Sequence, residues 1–462
     1  MRKVFLMGLL FLSIVSFGQN KQILYNFTSV PQSLMSNPGA DVKYKYYFGV
    51  PLLSGISANV GSSGFTAYDL FANDGVDFNT KLKNVVLSTS RNDKIALNEQ
   101  IELFSGGFQV GNWENKGYVS FGMYHEFDFW SYIPQDLAIL ALYGNKDYIG
   151  KVFNLGDLSL KSEMLSVFHI GYHKSIKENL IVGGRAKLYS SAFNVRSTNN
   201  SGYIYTIPSS TTVYDQVISS DLELNTSGIS KYIEKGYEGD IASDIQKKAL
   251  FGGDLGLGFD LGFTYYPKKN SQVTASVVDI GFVKHSKDVE TFTYKGYYNY
   301  EGINPKFDGN TNSQNVFREF NDAIPRDTTY TKYTTLRPVK LNASYQYLFD
   351  DTRGGDCNCS GKEAEYKNAV GAQFFMMTTP RAPMVALTGF YRRNLLDNLQ
   401  MKATYTLDTF SYTNIGLGLS GNLGKFNLYF LADNLLEYKD LSKANSLSFQ
   451  FGFNFIFKEN DD

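Results

Sequence analysis

Cysteine is almost missing from this chain: Cys357 and Cys359 are the only two in 462 residues. A disulfide-dense scaffold is therefore excluded. An excess of either charge is missing too. Lys and Arg number 44 against 45 Asp and Glu, so no basic field invites nucleic acid and no acidic one invites cationic partners. Beyond residue 18 there is no run of 18 apolar residues, which excludes a transmembrane helix. The sequence also has no GxSxG, no HExxH and no Ser-His-Asp order. Nothing singles out a nucleophile and its base, and the expectation is a protein without enzymatic activity or cofactor.

What is abundant is aromatic and small. Phe (36), Tyr (33) and Gly (42) are plentiful while Trp is limited to 2, a mixture that favours strands over helices. The N-terminus reads as a secretory signal over residues 1–18. Arg2 and Lys3 form its charged region, Val4 to Gly18 its apolar core, and Gln19 is the first mature residue; the core is too short to span a bilayer. An exported chain without a spanning helix is either soluble or inserted as a closed β-barrel, since lipid admits only helices and closed barrels.

Strict alternation decides between the two. Over 446–457, Leu447, Phe449, Phe451, Phe453, Phe455 and Phe457 alternate with Ser448, Gln450, Gly452, Asn454 and the exception Ile456. Over 252–266, Leu255, Leu257, Phe259, Leu261, Phe263 and Tyr265 stand opposite Asp254, Gly256, Gly258, Asp260, Gly262 and Thr264. Segments 117–130 and 399–408 repeat the pattern. A soluble sandwich would show Lys and Glu on its weak face. Here the weak face is Gly, Ser, Thr, Asn and a few carboxylates, and the strong face is continuous Leu, Phe and Tyr. That suits an apolar band against lipid around a polar lumen.

Fourteen such strands are expected, at 43–58, 101–112, 117–130, 163–175, 180–193, 252–266, 271–282, 337–349, 367–377, 383–394, 398–408, 412–421, 425–433 and 446–457. The number is even, as single-chain bacterial barrels require. With both termini periplasmic, the connections 59–100, 131–162, 194–251 and 283–336 all fall on the external side, and the turns between them are short. Within these outer loops, 289–300 reads as a strand extending above the membrane, 68–100 as containing a short helix, and the Ser/Thr/Tyr-rich 201–228 as an external cap. One connection breaks the pattern: 350–366 should be a periplasmic turn, yet it is long.

That loop carries Cys357 and Cys359, whose C-x-C spacing admits a strained local disulfide, free thiols or metal ligation. His169 and His173 share a strand face but lie roughly 13 Å apart, too far to act as one ligand pair. His125 falls at an outward position and His285 in a loop. The expected inward charges are Glu126, Asp128, Arg185, Lys187, Asp254, Asp260, Lys340, Arg392 and Lys402. Their mixed signs predict a salt-bridged lumen, with a polar solute pathway as the alternative.

The stretches 132–155 and 180–195, with 31–40, 276–285 and 429–438, resemble a family of exported proteins of unknown function common in Bacteroidota. Their barrels are similar to the FadL-type fatty-acid transporters. The resemblance implies an all-β, transmembrane antiparallel barrel of about 14 strands, FadL-like, with long external loops. It further implies a short plug-like N-terminal segment over 19–42, closed by Asn37-Pro38-Gly39, ahead of a barrel over 43–462 in the outer membrane of a Gram-negative bacterium, reached through the general secretory pathway. Related barrels serve in outer-membrane machines, including type IX secretion and gliding complexes. The mixed-sign lumen tips the expectation toward a structural or accessory subunit of an outer-membrane assembly or secretion complex, in contact with lipid and other outer-membrane or periplasmic proteins. A FadL-like passive transporter of small hydrophobic molecules is the alternative.

Overall fold

A two-residue period fixes the side of the strand on which each residue lies, and neighbouring strands with matching patterns pair in register. The computed structural model describes residues 21–111, 117–210, 213–233, 239–300, 313–351, 366–396 and 398–458. The segment 1–18 expected to be a secretory signal, and Cys357 and Cys359 with most of their loop, lie outside the described residues.

Fourteen barrel strands follow one another. They are β1 (Tyr46–Gly49 continued by Ile56–Ser62), β2 (Lys94–Val110), β3 (Gly117–Tyr132), β4 (Leu160–Lys177), β5 (Leu180–Ser197), β6 (Asp254–Lys268) and β7 (Ser271–His285). The second half comprises β8 (Lys340–Asp351), β9 (Tyr366–Met377), β10 (Met384–Leu396), β11 (Leu399–Asp408), β12 (Asn414–Leu423), β13 (Phe426–Asp433) and β14 (Ser446–Phe457). Each pairs antiparallel with the next, and β14 returns to β1 through Tyr46↔Phe457 and Ile56↔Phe451. The sheet is closed and has no free edge in its wall, the condition for a strand structure in hydrocarbon.

Exposure is inverted relative to a soluble protein. Leu255, Leu257, Phe259 and Leu261 of β6 are exposed, while Asp254, Asp260 and Thr264 between them are buried. On β14, Ser448, Gln450 and Asn454 are buried and Phe455 is exposed. The apolar rows therefore face acyl chains and the polar rows line the lumen. The protein is an outer-membrane β-barrel.

Connections differ sharply at the two ends. Lys177 to Leu180, Lys268 to Ser271 and Leu423 to Phe426 are tight turns, whereas the opposite end carries 63–93, 133–159, 198–253 and 286–339. Those long connections are structured. Strand Val289–Tyr300 pairs with Tyr214–Ser227 and with Arg326–Thr329, extending the wall beyond the barrel as expected, and the segment expected as a cap supplies strand Ser201–Pro208 to the same sheet. In the first long loop, Phe78–Ser88 is a helix whose N-cap Asp77 accepts from the amides of Asn79 and Thr80. It packs against helix Gln135–Tyr143, with Val86, Ile139 and Phe153 as a small core. Among the described residues no helix is long and apolar enough to cross a membrane.

Two boundaries depart from the sequence reading. β2 begins at Lys94 and not at 101, because its alternation runs past the polar Asn98, Glu99 and Gln100. β1, expected to be continuous, is interrupted at 50–55. Pro51 supplies no N–H for a ladder and Leu52 adopts φ 65°, so the chain bulges outward before pairing resumes at Ile56.

The inverted exposure makes a graded prediction. Leu261→Arg, in the middle of β6, is expected to lower unfolding stability in phospholipid vesicles by about 2–4 kcal/mol, and Tyr412→Arg, in a loop at the rim, by about 0–1 kcal/mol. Urea titrations that give the two substitutions equal costs would refute the lipid-facing assignment.

Candidate functional site: the lumen and its cavity

Inward charges are costly unless paired, because the lumen excludes much of the solvent that would screen them. Glu126 and Asp128 of β3, Arg185 and Lys187 of β5, Asp260 of β6 and Lys340 of β8 all point inward and join one ion-pair belt. Lys187 bridges Asp260 (2.9 Å) and Asp279 (2.5 Å), and Arg185 also reaches Asp260 (3.3 Å). Lys340 lies 2.7 Å from Asp279 and 3.5 Å from Glu126, so it spans from the β7–β8 wall to β3 across the lumen. Arg337 contacts Glu126 (2.8 Å), Asp128 (3.4 Å) and Glu163, and Lys161 completes the chain to Glu163 at 3.0 Å. Carboxylates Glu126, Asp128, Glu163, Asp260 and Asp279 thus balance cations Lys161, Arg185, Lys187, Arg337 and Lys340, five against five.

Asp279 and Arg337 escaped the sequence reading because each sits where the alternation breaks. Opposite Asp260 the β6–β7 register slips, and Asp279 takes φ 66°, a left-handed conformation that Asp tolerates better than most side chains. This bulge reverses the parity of β7 and turns Asp279 inward, where its amide donates to Asp260 Oδ1 at 2.7 Å. Arg337 precedes Pro338, at the gap between strand Tyr333–Leu336 and β8. Even positions face inward along β8, but odd ones do so before the gap. Glu163 is the first residue of the expected strand, on the inward parity of β4, and was passed over; extending that strand by two residues would have found Lys161 as well.

The remaining expected charges do other work. Lys402 of β11 is fully buried, and its ammonium donates to the carbonyls of Gln22 (3.3 Å), Ile23 (3.0 Å) and Tyr25 (2.5 Å). Arg392 of β10 reaches the carbonyl of Asn26 at 3.4 Å, and Arg185 those of Leu34 (2.5 Å) and Met35 (3.4 Å). These cations hold an N-terminal segment that runs through the lumen. Asn26 bonds Ser344 and Thr274, Gln32 bonds Glu102 and Asn454, and Thr264 bonds the carbonyl of Gly39. Ile23, Leu24, Phe27 and Val30 pack on Tyr429 and Leu431 of β13. The Asn37-Pro38-Gly39 turn, closed by Gly39 N–H to Asn37 Oδ1 at 2.9 Å, presses so tightly on β5 and β6 that a Cβ at Gly183 or Gly262 would collide with it.

Asp254 stands apart from the belt, at the long-loop end. It accepts from Ser227 (2.5 Å) and from the amides of Ser286 (2.9 Å) and Lys287 (3.0 Å), with His285 Nδ1 at 3.5 Å. His169 and His173 are both buried and inward, and His173 stacks on Tyr118. His125 bonds Ser166 at 2.7 Å. Among the described residues no three His, Cys, Asp or Glu are placed to hold a metal.

A small cavity of about 50 Å³ lies in the lumen near the long-loop end, beside a buried cluster of Ala96, Trp130, Met384 and Phe410. Its walls are apolar: Ala96, Trp130, Met377, Met384 and Phe410. Its floor is polar, formed by Gln22, Asn59, Asn98, Asp128 and Lys340. A second, smaller space of about 20 Å³ lies deeper, bordered by Met35, Ser36, Lys187 and Asp279. Lys340 and Phe375 line both spaces, and the N-terminal segment bounds each of them.

Comparison with known proteins adds the following. Residues 38–433 match a family of unknown function, DUF5723. No curated protein matches the sequence. Among solved structures, the toluene transporter TodX of Pseudomonas putida aligns over 95% of this chain and 96% of its own at 9% identity, TM-score 0.38. A FadL homologue of Pseudomonas aeruginosa aligns over 96% and 99% at 10% identity, TM-score 0.40, and the monoaromatic hydrocarbon channel CymD over 96% and 99% at 10% identity, TM-score 0.33.

The belt predicts an asymmetry. Arg337→Met removes a cation from three carboxylates and leaves Asp128 without its ion-pair partner, and is expected to cost about 3–5 kcal/mol, whereas Asp128→Asn on that background recovers part of the loss. Unfolding in detergent checks it, and an Arg337→Met barrel as stable as the parent would exclude the belt as a structural element. For the N-terminal segment, Lys402→Met is expected to expose a cysteine placed at Asn26 to a water-soluble maleimide at least about tenfold faster than in the parent, the equivalent of losing about 1.4 kcal/mol of anchoring.

Proposed function

The chain belongs to the DUF5723 family, for which no activity is established, and from its geometry we propose that it is a passive transporter of small hydrophobic molecules across the outer membrane. The observation that carries this reading is the cavity: an apolar, aromatic-lined space near the long-loop end, with Phe375 and Lys340 shared between it and a second, smaller space deeper in the lumen. A barrel serving only as a scaffold has no need of such a lining, and binding sites for small molecules are typically concave, mostly apolar and polar at a few points.

In this reading the long loops lie outside the cell and both termini lie in the periplasm. Solutes enter from the outside, shed water against Trp130, Phe410 and Met384, and meet the ion-pair belt below. Residues 21–41 act as the plug that closes the deeper space, held by Lys402, Arg392 and Arg185. The mixed-sign charges, which favoured an accessory subunit on sequence grounds, are paired with one another and so leave no uncompensated charge in the cavity lining. No catalytic step is assigned.

The test is uptake of an uncharged hydrophobic dye, N-phenylnaphthylamine, by cells expressing the barrel. Uptake is expected to exceed that of vector controls, and Met384→Arg, which puts a charge in the cavity wall, to return it to the control level while the barrel remains folded. Control-level uptake by the parent protein, together with a stoichiometric protein partner after gentle detergent extraction, would favour the accessory-subunit reading.

A further inference from the structure

The polar floor of the upper cavity makes a demand on the ligand that its apolar walls do not. Gln22 is 2% exposed; its Oε1 accepts from Gln373 Nε2 at 3.0 Å, and its own amide nitrogen has no partner among the described residues. That nitrogen belongs to a residue lining the cavity, and the Oε1 of its partner Gln373 is buried without a hydrogen bond among the described residues. Across the floor, on β1, stands the half-buried amide of Asn59. A wholly apolar occupant would cover a polar amide without giving it a partner, which is expensive.

Charge decides what kind of head group fits. The two floor charges have opposite sign and are already committed: Asp128 to Arg337 and to Asn98 Nδ2 at 2.6 Å, Lys340 to Asp279 and Glu126. A carboxylate head would be pressed against Asp128 and an ammonium head against Lys340, and neither would find a free counter-charge there. Above the cavity, Lys94 is also 2% exposed, with its ammonium 5.6 Å from the ring centroids of both Tyr132 and Phe410. It is held by ring faces and does not line the cavity.

We infer that the upper cavity binds uncharged amphiphiles: an apolar body against Trp130, Phe410 and Met384, and a single hydroxyl or carbonyl directed at Gln22 and Asn59. This inference rests on the transporter reading and narrows it from hydrophobic molecules in general to those with one neutral hydrogen-bonding head.

Trp130 lines the cavity, so its fluorescence reports occupancy once the only other tryptophan is removed by Trp113→Phe. The full-length protein, kept soluble in amphipol, is titrated with octane, 1-octanol, octanoate and octylamine. Octanol is expected to bind more tightly than octanoate or octylamine. Gln22→Leu and, independently, Asn59→Leu are expected to weaken octanol about tenfold while leaving octane unchanged or tighter, the effect of about 1.4 kcal/mol. Two variants on different elements guard against one of them failing to fold. Equal responses of octane and octanol to both substitutions, or tighter binding of octanoate or octylamine than of octanol, would overturn the inference and leave the transporter reading standing. If none of the four ligands perturbs Trp130, both readings fall.

Discussion

A closed cylinder of fourteen strands in hydrocarbon leaves its polar side chains only one place to go. Lipid satisfies no hydrogen bond, so the wall must pair every backbone group within itself and turn its greasy rows outward. The interior that results is too wide for wall side chains alone to fill. Everything distinctive in this lumen answers that surplus of space. The belt from Lys161 to Lys340 spans part of it with ion pairs that balance in charge, and the N-terminal segment occupies much of the rest. Neither would be stable alone. The belt's charges would be unpaired without partners on facing strands, and the segment's free carbonyls at Gln22, Ile23 and Tyr25 would be orphaned without Lys402.

The same constraint explains how much of the fold was legible in the sequence. Alternation is imposed by lipid on one side and by the lumen on the other, so the rows of β6 and β14 announce both faces and fourteen strands emerge in the right places. The pattern fails wherever the backbone leaves the ladder. Asp279 became luminal through a left-handed bulge and Arg337 through the break at Pro338, and these two residues make the belt's links to Lys340 and to Glu163. A parity rule cannot foresee its own reversals. The outer helices were legible only in part, because Phe78–Ser88 and Gln135–Tyr143 pack on one another and lack the long amphipathic period of a free-standing helix.

The candidate site was less legible than the fold. Trp130, Met377, Met384 and Phe410 lie on β3, β9, β10 and the β11–β12 connection, far apart in sequence, and each reads locally as one more barrel or loop hydrophobe. Only closure of the cylinder brings them to one mouth. Gln22 was hidden for a different reason: it belongs to a segment without strand pattern, whose position is fixed by bonds to Gln373, Lys402 and Ser344, more than 300 residues away.

Mixed-sign charges in a lumen are compatible with a scaffold or with a conduit, and what separates the two is where those charges sit along the axis. A belt that extended to the mouth would leave no surface on which a hydrophobic molecule could lose its water. Here the carboxylates are paired with cations, and Lys161, at the upper end of the belt, lies against an aromatic wall, its ammonium 5.5 Å from the Trp130 ring centroid. Five carboxylates against five cations give the belt no net charge. Lys340 lines both spaces and also pairs with both Glu126 and Asp279. Any displacement of Lys340 that merged the two spaces would have to break one of those pairs.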